Sequence, residues 1–344
     1  MTAVVGTDRA SIQRAAECLR DGGLVAFPTE TVYGLGAHAL DATAVRRLFA
    51  AKGRPANDPL IVHVSSLEQA VVLTTGMPEE ARALGNEFWP GPLTMVLKRH
   101  ESVPREVTAG RDTVAVRVPA HPVARALIDA TGFPVAAPSA NLFSRPSPTT
   151  AAHVLHDLEG RIDIIIDGGS TPVGVESTVV DFTSTPPRVL RPGGVPIERL
   201  RALLPHLEIG AMPLASDEAA PSPGLLSQHY SPRTPMTLYS GPPGSARVAL
   251  MKRIEDATAN GLKVGVLATR EQAAALGPTA ALLVDLGSEQ NADAVARHLY
   301  AAIRELDAAS LDLILTQGIP RTDGLWRAVG DRLSRAATEH VIVT

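Results

Sequence analysis

The chain has 344 residues, of which 45% are hydrophobic and 20% charged, enough apolar material for about two domains of usual size. With 32 basic against 36 acidic side chains the formal charge is −4, which disfavours a protein that coats nucleic acid by bulk attraction. One cysteine, Cys18, excludes an internal disulfide framework and a zinc site of several thiolates, and points to a reducing compartment.

Taken in chain order, Ile12, Ala15, Ala16 and Leu19 recur at helical spacing, Gly22-Gly23 ends that helix, and residues 24–27 read as a short buried strand. An alternation follows: helix 44–51, strand 60–64, helix 78–87, strands 93–97 and 113–118, helix 122–130, strand 135–137, helix 150–157, and strands 162–166 and 177–181. The pattern predicts a twisted mixed α/β sheet with covering helices over 1–209. Residues 210–235, rich in Pro, Ser and Ala without periodicity, read as a linker. Beyond it, strand 262–268, helix 271–275, strand 282–286, helix 292–308, strand 311–316 and helix 325–336 predict a small Rossmann-like α/β domain over 236–344. In the long helix Val295, Leu299, Ile303 and Leu306 form one apolar stripe.

Several chemistries lack their residues. None of the four lysines, Lys52, Lys98, Lys252 and Lys263, precedes Ser or Thr, so there is no Walker A loop. HExxH, GxSxG and GxGxxG are absent too, and no protein-ligated metal is expected. The opening MTAVVGTDRA has no basic stretch followed by an apolar run, and no run of 18 apolar residues occurs, so a soluble cytoplasmic protein is expected.

What remains are polar residues set into apolar strands and glycine turns. Thr29 and Thr31 follow a strand and precede Gly34 and Gly36, which are expected to make tight turns. Lys52-Gly53-Arg54-Pro55 sets two cations beside a rigid turn, an anion site or a solvated basic turn. His63 lies inside an apolar strand, where a lone histidine is more often a satisfied core residue than a catalyst. Arg117 is a charge inside another, and its burial requires a structural or a ligand carboxylate. Ser139 and Asn141 follow a strand, Ser147 opens a helix as a cap or an anion contact, and Glu176, Ser177 and Arg191 come beside further turns.

The ordered set FPTETVYGLGA, KGRP, PLIVHV, VAVRVPAHP, APSAN, SPT, GVESTVVD and RPGG resembles the YrdC/Sua-type threonylcarbamoyl-AMP synthases over about residues 8–205. SPGLLSQHY followed by a small α/β domain is similar to the longer two-domain members. The resemblance implies that L-threonine, bicarbonate or CO2, and ATP with Mg2+ give threonylcarbamoyl-adenylate and pyrophosphate. Other proteins would then use this product to modify an adenosine next to the tRNA anticodon. It implies that Thr31, His63, Arg117, Ala137 and Ser177 surround threonine, with Ala137 contributing backbone and the substrate carboxylate acting as the counter-ion of Arg117. Arg54, Asp58, Thr113, Ser139, Asn141, Ser147 and Arg191 would contact ATP, Lys52 and Arg54 would act on its phosphates, and Tyr230 would reach over the nucleotide from a linker lid.

Two positions depart from the family pattern. Leu142-Phe143-Ser144 replaces a Ser- and Gly-containing stretch ahead of Ser147, and Asp58 stands where Asn or His is frequent. The alternatives are a carbamoyl-adenylate-handling enzyme, whose zinc-finger-like segments a chain with one cysteine cannot supply, and an RNA-binding module. Against the latter, residues 1–210 hold 20 basic and 22 acidic side chains and residues 211–344 hold 12 and 14, so weak or no autonomous tRNA binding is expected.

Overall fold

Short strands that bury both faces organise the first part of the chain. A computed structural model describes residues 1–210, 230–279 and 281–344. Of the linker expected over 210–235, residues 211–229 lie outside the described residues. Two units are distinguished, Met1–Phe143 with Ser147–Leu226, and Ser144–Pro146 with Ser227–Thr344.

The first unit contains β1 (Ala3–Val5), α1 (Arg9–Arg20), β2 (Val25–Pro28), β3 (Tyr33–His38), α2 (Ala42–Lys52), β4 (Ile61–His63), α3 (Leu67–Val72), α4 (Glu79–Phe88) and β5 (Leu93–Lys98). It continues with β6 (Thr113–Arg117), α5 (Pro122–Thr131), β7 (Val135–Ala136), α6 (Ala151–Leu158), β8 (Ile164–Ile166), β9 (Thr178–Asp181), β10 (Arg188–Arg191), α7 (Ile197–Leu203) and β11 (Glu208–Ile209). The strands form one 11-stranded mixed sheet in the order β1-β8-β2-β3-β7-β4-β6-β5-β9-β10-β11. Pairs such as β4 with β6 and β5 with β9 are parallel, while β2 with β3 and β5 with β6 are antiparallel.

Strand alternation sorts the core. Ala26, Val62, Met95, Val114, Val116 and Val180 point into the larger apolar cluster, with Val45 and Leu48 of α2 and Leu84 of α4. Val25 and Phe27 of β2, Val135 of β7 and Ile164 and Ile166 of β8 point the other way, against Ile12, Ala15 and Leu19 of α1 and Leu127 of α5. Further along the sheet Ile61, Val96, Ala115, Val179 and Leu190 make a separate small apolar group. Because His63 is in register with Val135, this group shares the face covered elsewhere by α1 and α5.

The glycines of FPTETVYGLGA are not turn residues. Gly34 and Gly36 lie inside β3, which the sequence reading missed, and a Cβ on Gly36 would meet Phe27 and Val135 side-chain carbons at 2.9 Å. The αL position expected of a glycine occurs instead at Gly53, φ +63°, the C-cap of α2.

The second unit is a parallel five-stranded sheet with helices between its strands: β12 (Met236–Ser240), α8 (Pro243–Ala259), β13 (Val264–Ala268), α9 (Arg270–Leu276), β14 (Leu282–Asp285), α10 (Ala292–Ala308), β15 (Leu313–Gln317), α11 (Trp326–Ala336) and β16 (Glu339–Ile342). Its order is β14-β13-β15-β12-β16, the Rossmann-like layout expected, with one more strand at each end of the chain order. Val295, Leu299, Ile303 and Leu306 are all buried, as their stripe requires.

Candidate active site

Five strands of the first unit bring their polar residues to one sheet face. Thr113, Ala115 and Arg117 share a side of β6, Ile61 and His63 a side of β4, Thr94 and Val96 a side of β5, and Ser177 precedes Val179 of β9 by one period. Arg191 reaches the same side through an irregularity in β10, where the pairing shifts between Val189 and Arg191 so that Arg191 lies opposite Val179. An extra residue in one strand re-aims the side chain after it. The apolar group of Ile61, Val96, Ala115, Val179 and Leu190 is therefore a floor from which these side chains rise.

At one end, Arg117 is buried and held from three directions. Its Nη1 donates to Thr31 Oγ1 at 3.0 Å, its Nε donates to the Gly91 carbonyl at 3.3 Å, and its Nη2 lies 2.7 Å from Glu30 Oε1. The protein's own Glu30 is thus a counter-ion of Arg117, the structural carboxylate that its burial admits, beside the substrate carboxylate that the resemblance implies. Thr31 is itself fixed by a 2.8 Å hydrogen bond with Thr29, whose hydroxyl donates to the Val32 carbonyl at 2.6 Å. His63 pairs with Arg117 across the parallel strands β4 and β6 and sits edge-on to Phe27. Burial, reinforced by the Arg117 charge, pushes its imidazole down to about 3, so it is neutral at physiological pH. Its buried Nδ1 has no hydrogen-bond partner among the described residues. The Ala137 N–H is taken by the Ile61 carbonyl at 2.9 Å, so any backbone contact of Ala137 with a ligand uses its carbonyl.

A second group gathers where α2 ends. Lys52 is buried, and its Nζ donates to the carbonyls of Ser139 and Asn141. Burial, with the Arg54 cation nearby, holds its amine well below the usual lysine range. Arg54 donates from Nε to the Asp58 carbonyl at 3.1 Å and from Nη2 to the Pro59 carbonyl at 2.8 Å, and pairs with Asp58 Oδ2 at 2.9 Å. Asp58 is fully buried; desolvation raises its pKa, while Arg54, Lys52 and Arg191 oppose that rise. Neither carboxyl oxygen has a hydrogen-bond partner among the described residues, and Arg54 is its ion-pair partner.

Ser177 joins the two expected sets. Its hydroxyl shares a 2.8 Å hydrogen bond with Thr94 and accepts from Arg191 Nη2 at 3.2 Å, while its carbonyl accepts from Arg191 Nε at 3.2 Å. Ser147 is not a helix cap: Thr150 caps α6 by accepting from the His153 N–H, and the Ser147 hydroxyl donates to Glu176 Oε1 at 2.6 Å. The Asn141 side chain donates to the Leu142 carbonyl at 2.7 Å, and Ser139 is half-buried beside Gly34. Thr113 shares the face of Arg117 but lies about 13 Å along the strand from it. Tyr230 belongs to the second unit, at φ +69°, with the Arg332 guanidinium 5.3 Å from its ring centroid and Tyr300 packed at 5.5 Å.

Sequence reasoning passed over Glu30 and Thr94, and quoted Glu176 without a role. Glu30 stood between two threonines already singled out, so its position in FPTET was the available signal.

Chemically, the arrangement offers a forked cation with fixed orientation and a neutral imidazole at one end, and Lys52, Arg54 and Arg191 around one buried carboxylate at the other. A carboxylate ligand fits the first and a phosphate chain the second. Among the described residues no group of three or more His, Cys, Asp or Glu could hold a metal ion.

Residues 17–193 match the family model Sua5/YciO/YrdC, described as telomere recombination, and residues 195–338 match the threonylcarbamoyl-AMP synthase C-terminal domain. The threonylcarbamoyl-AMP synthase of Pyrococcus abyssi is 45% identical over 336 residues, covering 96% of this chain and 95% of the relative. That of Bacillus subtilis is 42% identical over 343 residues, covering 99% and 97%. A crystal structure of P. abyssi Sua5 complexed with L-threonine matches with TM-score 0.91 at 44% identity, over the full length of both chains. On both domain models and on relatives matched from end to end, the chain belongs to the Sua5/YciO/YrdC family, in its two-domain threonylcarbamoyl-AMP synthase form.

Proposed function

We propose that the chain makes L-threonylcarbamoyl-adenylate from L-threonine, bicarbonate or CO2, and ATP, releasing pyrophosphate, and supplies it for threonylcarbamoyladenosine formation in tRNA. The observation that carries this reading is the full-length likeness to a relative whose structure was solved with L-threonine. In the reaction threonine's neutral amine adds to CO2 and loses a proton, and an oxygen of the resulting carbamate attacks the α-phosphorus as pyrophosphate leaves. No covalent protein nucleophile is called for, so the rate rests on positioning and charge stabilisation.

The site residues divide accordingly. Arg117 takes the threonine carboxylate, with Thr31, His63, Ala137 and Ser177 around the amino acid. Arg54, Thr113, Ser139, Asn141, Ser147 and Arg191 contact ATP, and Lys52 with Arg54 neutralises charge that grows on the departing pyrophosphate. Asp58 serves the nucleotide end through Arg54, and Tyr230 is assigned to ATP by the family likeness alone. The neutral state of His63 supports a hydrogen-bonding part for it. Mg2+ enters as part of the MgATP substrate. The product is a labile mixed anhydride, so proteins that transfer the threonylcarbamoyl group to tRNA are the consumers, and this chain needs little tRNA affinity of its own.

The test is release of pyrophosphate by the purified protein. It is expected only with threonine, bicarbonate and ATP all present, and release of pyrophosphate without threonine would refute the synthase reading.

A further inference from the structure

Glu30 occupies the four-residue turn between β2 and β3, where a carboxylate would ordinarily reach water. Instead it is buried, with Oε1 2.7 Å from Arg117 Nη2. Its Oε2 accepts the Ala120 N–H at 3.0 Å, and its carbonyl accepts the Val173 N–H at 2.9 Å. The turn is therefore tied both to the segment that follows Arg117 and to the loop ahead of β9. These ties fix where the carboxylate stands before any ligand arrives.

The contacts of Arg117 reach three different nitrogens of its guanidinium. Thr31 takes a proton of Nη1, Gly91 takes that of Nε, and Glu30 faces Nη2. A guanidinium carries five N–H groups, so the fork keeps donors for a further carboxylate. A side chain with several rotatable bonds would sample other orientations without these restraints, and bidentate recognition requires one.

We infer that Glu30 is a positioning residue for threonine recognition: it holds the Arg117 fork in the orientation that receives the substrate carboxylate, without touching the substrate itself. The inference rests on the proposed role of Arg117 in binding threonine. Glu30 acts on one substrate only, because Lys52 and Arg54 are held by contacts of their own.

The experiment uses the full chain and measures KM for threonine, KM for ATP and kcat by pyrophosphate release. Glu30→Gln keeps the shape and removes the charge, and is expected to raise the threonine KM about ten-fold, the effect of one charge-assisted contact. The ATP KM should move less than about two-fold. The double variant with Arg117→Lys should be no worse for threonine than Arg117→Lys alone, because the two residues act as one unit. Independent, additive losses would overturn the inference, as would equal loss of affinity for both substrates. If Glu30→Gln fails to fold, Glu30→Asp, which retains the charge at shorter reach, must show the same threonine-only loss for the inference to stand. Should Arg117→Lys bind threonine normally, the proposed role of Arg117 itself falls, a result distinct from normal threonine binding by Glu30→Gln alone.

Discussion

His63 illustrates how a strand position sets the chemistry of a side chain. Buried beside Arg117, its imidazole protonates only near 3, against 6.5 for a solvated histidine. Between those values the unfolded chain binds more protons than the folded one, so this contribution to stability is complete above about pH 6.5 and is lost as pH falls toward 3. From pH 7 to pH 5 the native chain should lose about 2 kcal/mol more than a His63→Gln variant, as measured by urea unfolding at each pH. The two cationic ends should also separate. Arg117→Ala is expected to weaken threonine, and Arg54→Ala to weaken ATP, each by about ten- to a hundred-fold in binding assays. Loss of both substrates in either variant would undo the division of the site. At this scale the sequence was readable wherever a polar residue interrupts an apolar strand, as at His63 and Arg117. It was silent on partners, because Glu30 and Arg117 meet across 87 positions of chain and Ser147 and Glu176 across 29. No local pattern records such a meeting; only the sheet order does.

Elements with a clear period were legible, and their ends shifted by a residue or two, as for α2 at Ala42–Lys52 against the expected 44–51. Those missed had a reason. Strand β3 carries two glycines and so looked like a turn, while α8 has the exposed Val248 among its buried Ala246, Leu250 and Ile254, which blurs the stripe. The edge strand β16 is mostly exposed, and its apolar residues Val341 and Ile342 come only at its end. The corrected role of the β3 glycines gives a prediction on stability. At Gly36 an added methyl would meet Phe27 and Val135 at 2.9 Å and the Val25 carbonyl at 3.2 Å. Gly36→Ala should therefore cost about 1–3 kcal/mol by overpacking. At Gly53 there is open space but a left-handed backbone, so Gly53→Ala should cost about 1 kcal/mol. Urea unfolding of both variants checks the order, and a larger cost at Gly53 would contradict the packing argument.

The fold class was legible at the scale of the whole chain because motif order and strand-helix alternation agree, and neither depends on a long-range contact. What could not be read is that Ser144–Pro146 groups with the second unit, although Asn141 and Ser147 on either side belong to the first. Within the second unit the Ser231 N–H donates to the Ser144 carbonyl at 2.7 Å, and Arg304 donates to the Pro146 carbonyl. The departure Leu142-Phe143-Ser144 from the family pattern falls at this junction, and Ser144 takes φ +67°, a conformation that a residue with a side chain adopts only when its surroundings hold it. The first unit has its own sheet and core, so a 1–210 fragment should unfold cooperatively in urea. The fragment lacks Tyr230, which the family likeness assigns to ATP, so its ATP-dependent pyrophosphate release is expected to fall to background. Full activity of the fragment would mean that Tyr230 is not needed for the synthase step, and that the second unit serves some other purpose.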